Sequence, residues 1–251
     1  MYIDSKVIIT NNLSQFAKKG ADIFTSTAKD CIVKNGRFVV AISGGSTPRS
    51  IHRLFVEEPY CSEIPWGITH IFWVDDRCVP ENNQASNYGG AKKDFLDRVP
   101  IPIEQIHHMP GESPPEDGAL RYQEELTNYF QPEGDEFPVF DLIFLGMGED
   151  GHTASLFPGH RALEESERLV VAVKGGDPNV SRLTMTYPVL NRGKLIVFIV
   201  SGKKKASTLK AVLEEGQAQF PAQKIQPLNG TLVWLLDQEA ASLLSKDSAH
   251  D

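Results

Sequence analysis

Cysteine is scarce in this chain: Cys31, Cys61 and Cys78 are the only three among 251 residues. An odd number with no CxxC spacing argues against a disulfide framework and against a zinc site. Long apolar runs are missing as well. The longest, Leu195 to Val200, falls far short of the about 20 residues a membrane-spanning helix needs. Positive charge is in deficit, with 25 Lys plus Arg against 33 Asp plus Glu and a net of −8. Such a chain is a poor partner for nucleic acid or an anionic membrane, so an anionic ligand must be met by a local site. The first 19 residues contain Asp4, Lys6, Lys18 and Lys19, and they lack both an apolar core segment and a small-residue cleavage site. They do not read as a signal peptide, and a cytoplasmic protein of a reducing compartment is expected.

What is present has the balance of a globular chain, 41% hydrophobic and 23% charged. Short apolar runs alternate with helical patterns. Strand runs are read at Phe38–Ile42, Ile71–Val74, Phe140–Leu145, Leu169–Val173, Leu195–Val200 and Leu232–Leu236. Helical patterns fall near residues 13–34, 87–98, 116–130, 203–214 and 238–245. Runs near-continuous in Val, Ile, Leu and Phe are buried on both faces, as in a parallel sheet flanked by helices. The expected fold is therefore α/β, a Rossmann-like, mostly parallel sheet in a single domain over residues 1–251. The loops Pro100–Pro115 and Gln131–Pro138 are rich in Pro, Gly and acid, but neither reads as a domain linker.

Ligands of open parallel sheets bind beyond the carboxyl ends of the strands, so the residues after each run matter most. Ser43-Gly44-Gly45-Ser46-Thr47-Pro48 follows a strand and opens a helix, with Thr47 a candidate cap and Pro48 at the first helical position. Two glycines, two hydroxyls and free N–H groups there make an anion site; a plain capped turn reads the same way. It is neither a Walker loop, lacking the GK[ST] ending, nor a nucleophile elbow. Asp75-Asp76-Arg77 ends the next strand, where Arg77 can clamp a phosphate and Asp75 or Asp76 can orient a sugar hydroxyl or a second catalytic group; a surface acid–Arg cluster reads the same way. Ser201-Gly202-Lys203-Lys204-Lys205 puts three cations at a helix start, against the macrodipole, which points to a bound anion, with a solvated lysine run as the other reading. Arg182 is a further candidate.

Gly146-Met147-Gly148-Glu149-Asp150-Gly151-His152 contains a literal GxGxxG. Pro158 and Gly159 stop any helix after it within about two turns, and the following strand run carries no ribose-holding acid, so a dinucleotide site is disfavoured. What remains is a glycine-rich turn presenting Asp150 and His152, an acid able to hold the tautomer of a general base. The other six histidines, His52, His70, His107, His108, His160 and His250, have no comparable setting and are read as structural or solvated. These residues together point to a small phosphorylated metabolite and acid–base chemistry, without naming the reaction.

The motifs Ile42–Pro48, Phe72–Pro80 with Ser86-Asn87-Tyr88, Leu145–Pro158, Arg182–Thr186, Gly202–Ala206 and Leu232–Asp237 occur in this order over almost the whole chain. In them the chain resembles the 6-phosphogluconolactonase family, which shares a fold with glucosamine-6-phosphate deaminase/isomerase. Asp76 departs from the pattern, which usually has Glu there. The deaminases carry a Tyr in place of Arg77 and a catalytic Glu in place of Phe157, so both positions favour the lactonase. The resemblance implies hydrolysis of a phosphorylated sugar lactone in the oxidative pentose phosphate pathway, without cofactor or metal, and the acidic composition is compatible with a monomer or a homodimer. It implies His152 as general base, with Asp150 beside it, and Asp75 orienting the sugar ring. Gly44, Gly45, Ser46, Thr47, Arg77, Arg182 and Lys205 would hold the phosphate, Lys205 being the lysine that matches the family position. A deaminase-type enzyme, a non-catalytic sugar-phosphate sensor and, more distantly, a nicotinamide oxidoreductase stand as alternatives.

Overall fold

A computed structural model describes residues 5–134, 136–215 and 220–245. Asp4, His250 and part of the 131–138 loop therefore lie outside the described residues. The strands are β1 Lys6–Thr10, β2 Phe38–Ile42, β3 Thr69–Trp73, β4 Asp75–Arg77, β5 Ile106–His107, β6 Leu142–Leu145, β7 Val170–Gly175, β8 Val180–Met185, β9 Leu195–Val200 and β10 Thr231–Asp237. The α-helices are α1 Leu13–Asn35, α2 Ser46–His52, α3 Tyr60–Glu63, α4 Asn87–Asp94, α5 Pro115–Phe130, α6 Tyr187–Leu190 and α7 Ala206–Glu214.

Local chemistry explains the longer helices. Asn12 caps α1, its side-chain oxygen accepting from Gln15 N at 2.9 Å, and Gly36 ends it in the left-handed region. Phe16, Gly20, Ala21, Phe24 and Ala28 recur at helical spacing and form its buried face. Phe24 meets Phe55 at 4.5 Å and Phe38 edge-on at 5.2 Å, and Phe55 meets Phe95 at 5.3 Å, so aromatic packing joins this helix to β2 and to the end of α4. Pro115 starts α5, with Glu116 and Asp117 favourably placed in its first turn.

Seven strands form one sheet in the order β1-β10-β9-β6-β2-β3-β5, and every pairing in it is parallel. All five residues of β2 are buried, as expected for a central strand covered on both faces. A second sheet, β4-β8-β7, is antiparallel and lies against α5.

The structure corrects several sequence expectations. Leu169–Val173 is a strand, but it pairs antiparallel in the small sheet; an apolar run marks a strand without specifying its neighbour. The 238–245 segment forms turns instead of a helix, with Ala240 N donating to Asp237 Oδ1 at 2.8 Å. Helix α2 begins one residue before Thr47, at Ser46, and Gly45 occupies the cap position without a side-chain bond. Thr47 turns instead to Ser201, their hydroxyls 2.9 Å apart, and Pro48 is the third helical residue. The lysine run forms a single 3₁₀ turn, Lys203–Lys205, ahead of α7. The strands β1, β4, β5 and β8 carried no sufficient apolar run to be foreseen.

One buried group sets an acid limit on this fold. His52, 2% exposed, is packed between Phe55 and Phe95, and neither ring nitrogen has a hydrogen-bond partner among the described residues. Burial pushes its pKa down to about 4. The unfolded chain binds this proton near the ordinary histidine value, so stability is fully present above that value and falls as pH drops towards 4. The loss is about 3 kcal/mol over that window. Replacing His52 by Leu is expected to be neutral or stabilising at pH 7.5 and to shrink the loss between pH 7 and pH 4 by about that amount. Urea unfolding of both proteins at several pH values checks this; an unchanged pH slope would remove His52 from acid sensitivity.

Candidate active site

Strand β2 is flanked by β3, which follows it in the chain, and by β6, which does not. The loops leaving β2 and β6 therefore diverge at the carboxyl ends and open a crevice. Ser43 Oγ donates to Phe144 O at 2.8 Å and ties the base of the two loops together. Above it lies an open cavity of about 200 Å³. Gly44, Gly45, Ser46 and Thr47 line one wall, Asp75 and Arg77 of β4 with Arg182 of β8 a second, and His152 and Lys205 are among the residues that complete it. Nine of the ten residues expected from the sequence thus share one cavity. The tenth, Asp150, stands behind His152.

His152 Nδ1 is 2.5 Å from Asp150 Oδ1, and the His152 backbone N–H donates to the same oxygen at 3.2 Å. This geometry assigns the ring proton to Nδ1 and leaves Nε2 as a proton acceptor. Burial pushes the Asp150 carboxyl up, but the imidazole beside it and the N–H bonds outweigh this and hold it below the usual carboxylate range. Gly148 is required here because a Cβ would strike the His152 ring. The turn is held from outside by Thr208 Oγ1 on Glu149 O at 2.5 Å and by Ala222 N on Gly151 O at 3.0 Å. No helix follows Gly151, which agrees with the reading against a dinucleotide site.

The cationic wall is built by strand register. Arg77 and Arg182 face each other across the antiparallel β4–β8 pair. Arg182 is 3% exposed and donates Nε to Gly175 O at 2.8 Å and Nη2 to Pro178 O at 3.1 Å, with its guanidinium over Phe157. Burial and then repulsion from Arg77 lower its pKa, although Asp75, Asp76 and Asp177 oppose this. Burial likewise lowers Lys205, against the pull of Glu149 and Asp150. Among the described residues none of these three cations forms an ion pair. Arg182 is buried and Arg77 and Lys205 are half-buried, and such a gathering of like charges without an ion-pair partner favours an anion in the cavity.

Asp75 is buried, accepting from Ser155 Oγ on Oδ2 at 2.6 Å and from Asn87 Nδ2 on Oδ1 at 3.3 Å. Asn87, also in the cavity wall, had no role from sequence reasoning, and its only signal was the Ser86-Asn87-Tyr88 motif following the acidic pair. Asp76, read beside Asp75 as an acid that could orient a sugar hydroxyl, lies behind Asn87 and outside the cavity wall. Burial pushes the Asp76 carboxyl up to about 6 against three backbone N–H groups that favour its charge, and the neighbouring Asp75 charge adds to the rise. No cluster of metal-ligating side chains occurs among the described residues, and no described helix is long and apolar enough to cross a membrane.

The sequence model of the family described as "Glucosamine-6-phosphate isomerases/6-phosphogluconolactonase" matches residues 11–234. A 6-phosphogluconolactonase from Synechocystis is 42% identical over 224 residues, 88% of this chain and 90% of that protein. One from Rattus norvegicus is 39% identical over 233 residues, 90% of this chain and 88% of that protein. Among solved structures, a 6-phosphogluconolactonase from Trypanosoma cruzi superposes with a TM-score of 0.86 at 26% identity, covering 98% of each chain. With the fold, the cavity and these matches in agreement, the chain belongs to the glucosamine-6-phosphate isomerase/6-phosphogluconolactonase family.

Proposed function

We infer that this protein hydrolyses 6-phospho-D-glucono-1,5-lactone to 6-phospho-D-gluconate, a step of the oxidative pentose phosphate pathway. The observation that carries this reading is one cavity that holds His152, backed by Asp150, together with three cations that have no ion-pair partner among the described residues. The cations and the Gly44–Thr47 turn take the 6-phosphate, Arg77 and Arg182 from β-strand register and Lys205 from the turn after β9. The sugar ring then lies towards His152, with Asp75 orienting it. Binding energy from the phosphate holds the lactone carbonyl in place for attack.

His152 Nε2 takes a proton from water as its oxygen bonds to the lactone carbon. Asp150 fixes the ring and stabilises the imidazolium so formed. The tetrahedral intermediate collapses by breaking the bond from that carbon to the ring oxygen, and His152 returns its proton to the departing oxygen. The product is an open-chain acid, which ionises. Amino-sugar deamination is disfavoured: Phe157 lies 4.8 Å from the His152 ring and supplies an apolar surface where that chemistry needs a carboxylate.

Replacing His152 by Ala should lower kcat by about a hundredfold or more with KM little changed, measured as acid release above spontaneous lactone hydrolysis. Near-normal turnover would remove His152 as the base. Replacing Arg77 by Ala should act mainly on KM, weakening binding by about 1.5–3 kcal/mol, the range for a hydrogen bond to a charged group. A collapse of kcat at unchanged KM would place Arg77 on the transition state instead. Ammonia release from glucosamine 6-phosphate, absent lactone hydrolysis, would sink the lactonase reading.

A further inference from the structure

Asp76 is a buried titratable group that the proposed chemistry does not use. It is 3% exposed and takes no part in the cavity wall. Its two carboxylate oxygens are nonetheless fully engaged. Oδ1 accepts the backbone N–H of Arg77 at 2.7 Å and that of Asn87 at 2.7 Å; Oδ2 accepts that of Tyr88 at 3.0 Å. The acid therefore joins the end of β4 to the first turn of α4. Ser86, whose Oγ accepts from Gly89 N at 3.0 Å, caps the same turn.

The first residue of that turn is Asn87, which is buried and spends its whole side chain on two cavity residues. Its Oδ1 accepts from Arg77 Nη1, and its Nδ2 donates to Asp75 O at 2.8 Å and to Asp75 Oδ1 at 3.3 Å. Asn87 also lies so close to Gly44 that a Cβ there would overlap it. It thus touches the β2 loop, the acid and the arginine at once. Arg77 Nη1 has one other bond, to Ala85 O at 3.1 Å, and its buried Nε has no partner among the described residues. Without Asn87 the guanidinium loses most of what fixes its direction.

We propose that Asp76 and Asn87 are positioning residues that act as one unit, setting Arg77 and Asp75 for the phosphorylated substrate. This rests on the reading of Arg77 as a phosphate ligand. Only a carboxylate meets three converging N–H groups, since an amide turns a donor towards at least one of them. The far end of α4 is pinned to α2 by Asp94, which accepts from Arg49 Nε at 2.5 Å and Nη2 at 2.9 Å. A mismatch at Asp76 is therefore absorbed in the first turn, where Asn87 sits.

The test uses the full chain at pH 7.5 with Asp76→Asn, Asn87→Ala and the double variant. kcat and KM are measured for the lactone, and the dissociation constant for 6-phosphogluconate by calorimetry. Each single substitution should raise KM and the dissociation constant about tenfold or more, with kcat changed less than about threefold. The double variant should bind no worse than Asn87→Ala, because Asp76 acts through Asn87. If Asp76→Asn does not fold, Asn87→Ala alone decides by its split between KM and kcat. Unchanged affinity in Asn87→Ala, a fall in kcat at constant KM, or independent multiplication of the two defects overturns the proposal. Failure of the unsubstituted protein both to hydrolyse the lactone and to bind 6-phosphogluconate overturns the lactonase reading, and this inference with it.

Discussion

Two guanidiniums placed opposite each other on neighbouring strands repel, and the site is organised around that repulsion. The register of β4 against β8 sets Arg77 beside Arg182, and the β9 turn adds Lys205 to the same cavity. Like charges directly across a strand pair are destabilising in most sheets. Here the backbone carbonyls of Gly175, Pro178 and Ala85 accept from the two arginines, so each group is solvated by the protein without being neutralised. The carboxylates nearby are already committed: Asp75 to Ser155 and Asn87, Asp76 to three backbone N–H groups, Asp150 to His152. In an acidic protein, this cavity thus gathers three cations that have no ion-pair partner among the described residues.

The two halves of the cavity come from different parts of the fold. The parallel sheet contributes the Gly44–Thr47 turn, the His152 turn and the Lys205 turn, all at the carboxyl ends of its strands. The antiparallel sheet contributes both arginines and Asp75. The parallel-sheet half is held by bonds behind its loops, Ser43 to Phe144, Thr208 to Glu149 and Ala222 to Gly151. Such supports fix a reacting geometry without occupying space a substrate needs. The Asp76–Asn87 pair, proposed as the support of the arginine half, crosses from the arginine strand to the β2 loop, with Asn87 itself in the cavity wall.

Much of this was legible in the chain. Continuous runs of Val, Ile, Leu and Phe identify β2, β6, β9 and β10 because only strands covered on both faces carry them. The rule that ligands sit at strand carboxyl ends then selected the Ser43, Asp75, Gly146 and Ser201 segments. Patterning was silent on β4 and β8, where charged and hydroxyl residues break the apolar run and pairing alone makes the strand. It also misread residues 238–245, whose apolar spacing fits a helix while Asp237 closes them into turns. Thr47 has the chemistry of a cap, yet its hydroxyl finds Ser201, a residue 154 positions away in the sequence.

The sequence by itself determined the central strands, the longer helices, the candidate residues and the family, because these depend on local composition, periodicity and motif order. Tertiary structure decided which of those residues face one another. The register that opposes Arg77 to Arg182, the 2.5 Å contact of His152 with Asp150, and the bridge from Asp76 through Asn87 to Arg77 each depend on geometry at the ångström scale. Strand pairing and side-chain direction set that geometry, and neither is encoded in the spacing of residues along the chain. That is why His152 and Asp150, two residues apart, could be paired from sequence, whereas the support behind Arg77 emerged only once β4 and α4 were packed together.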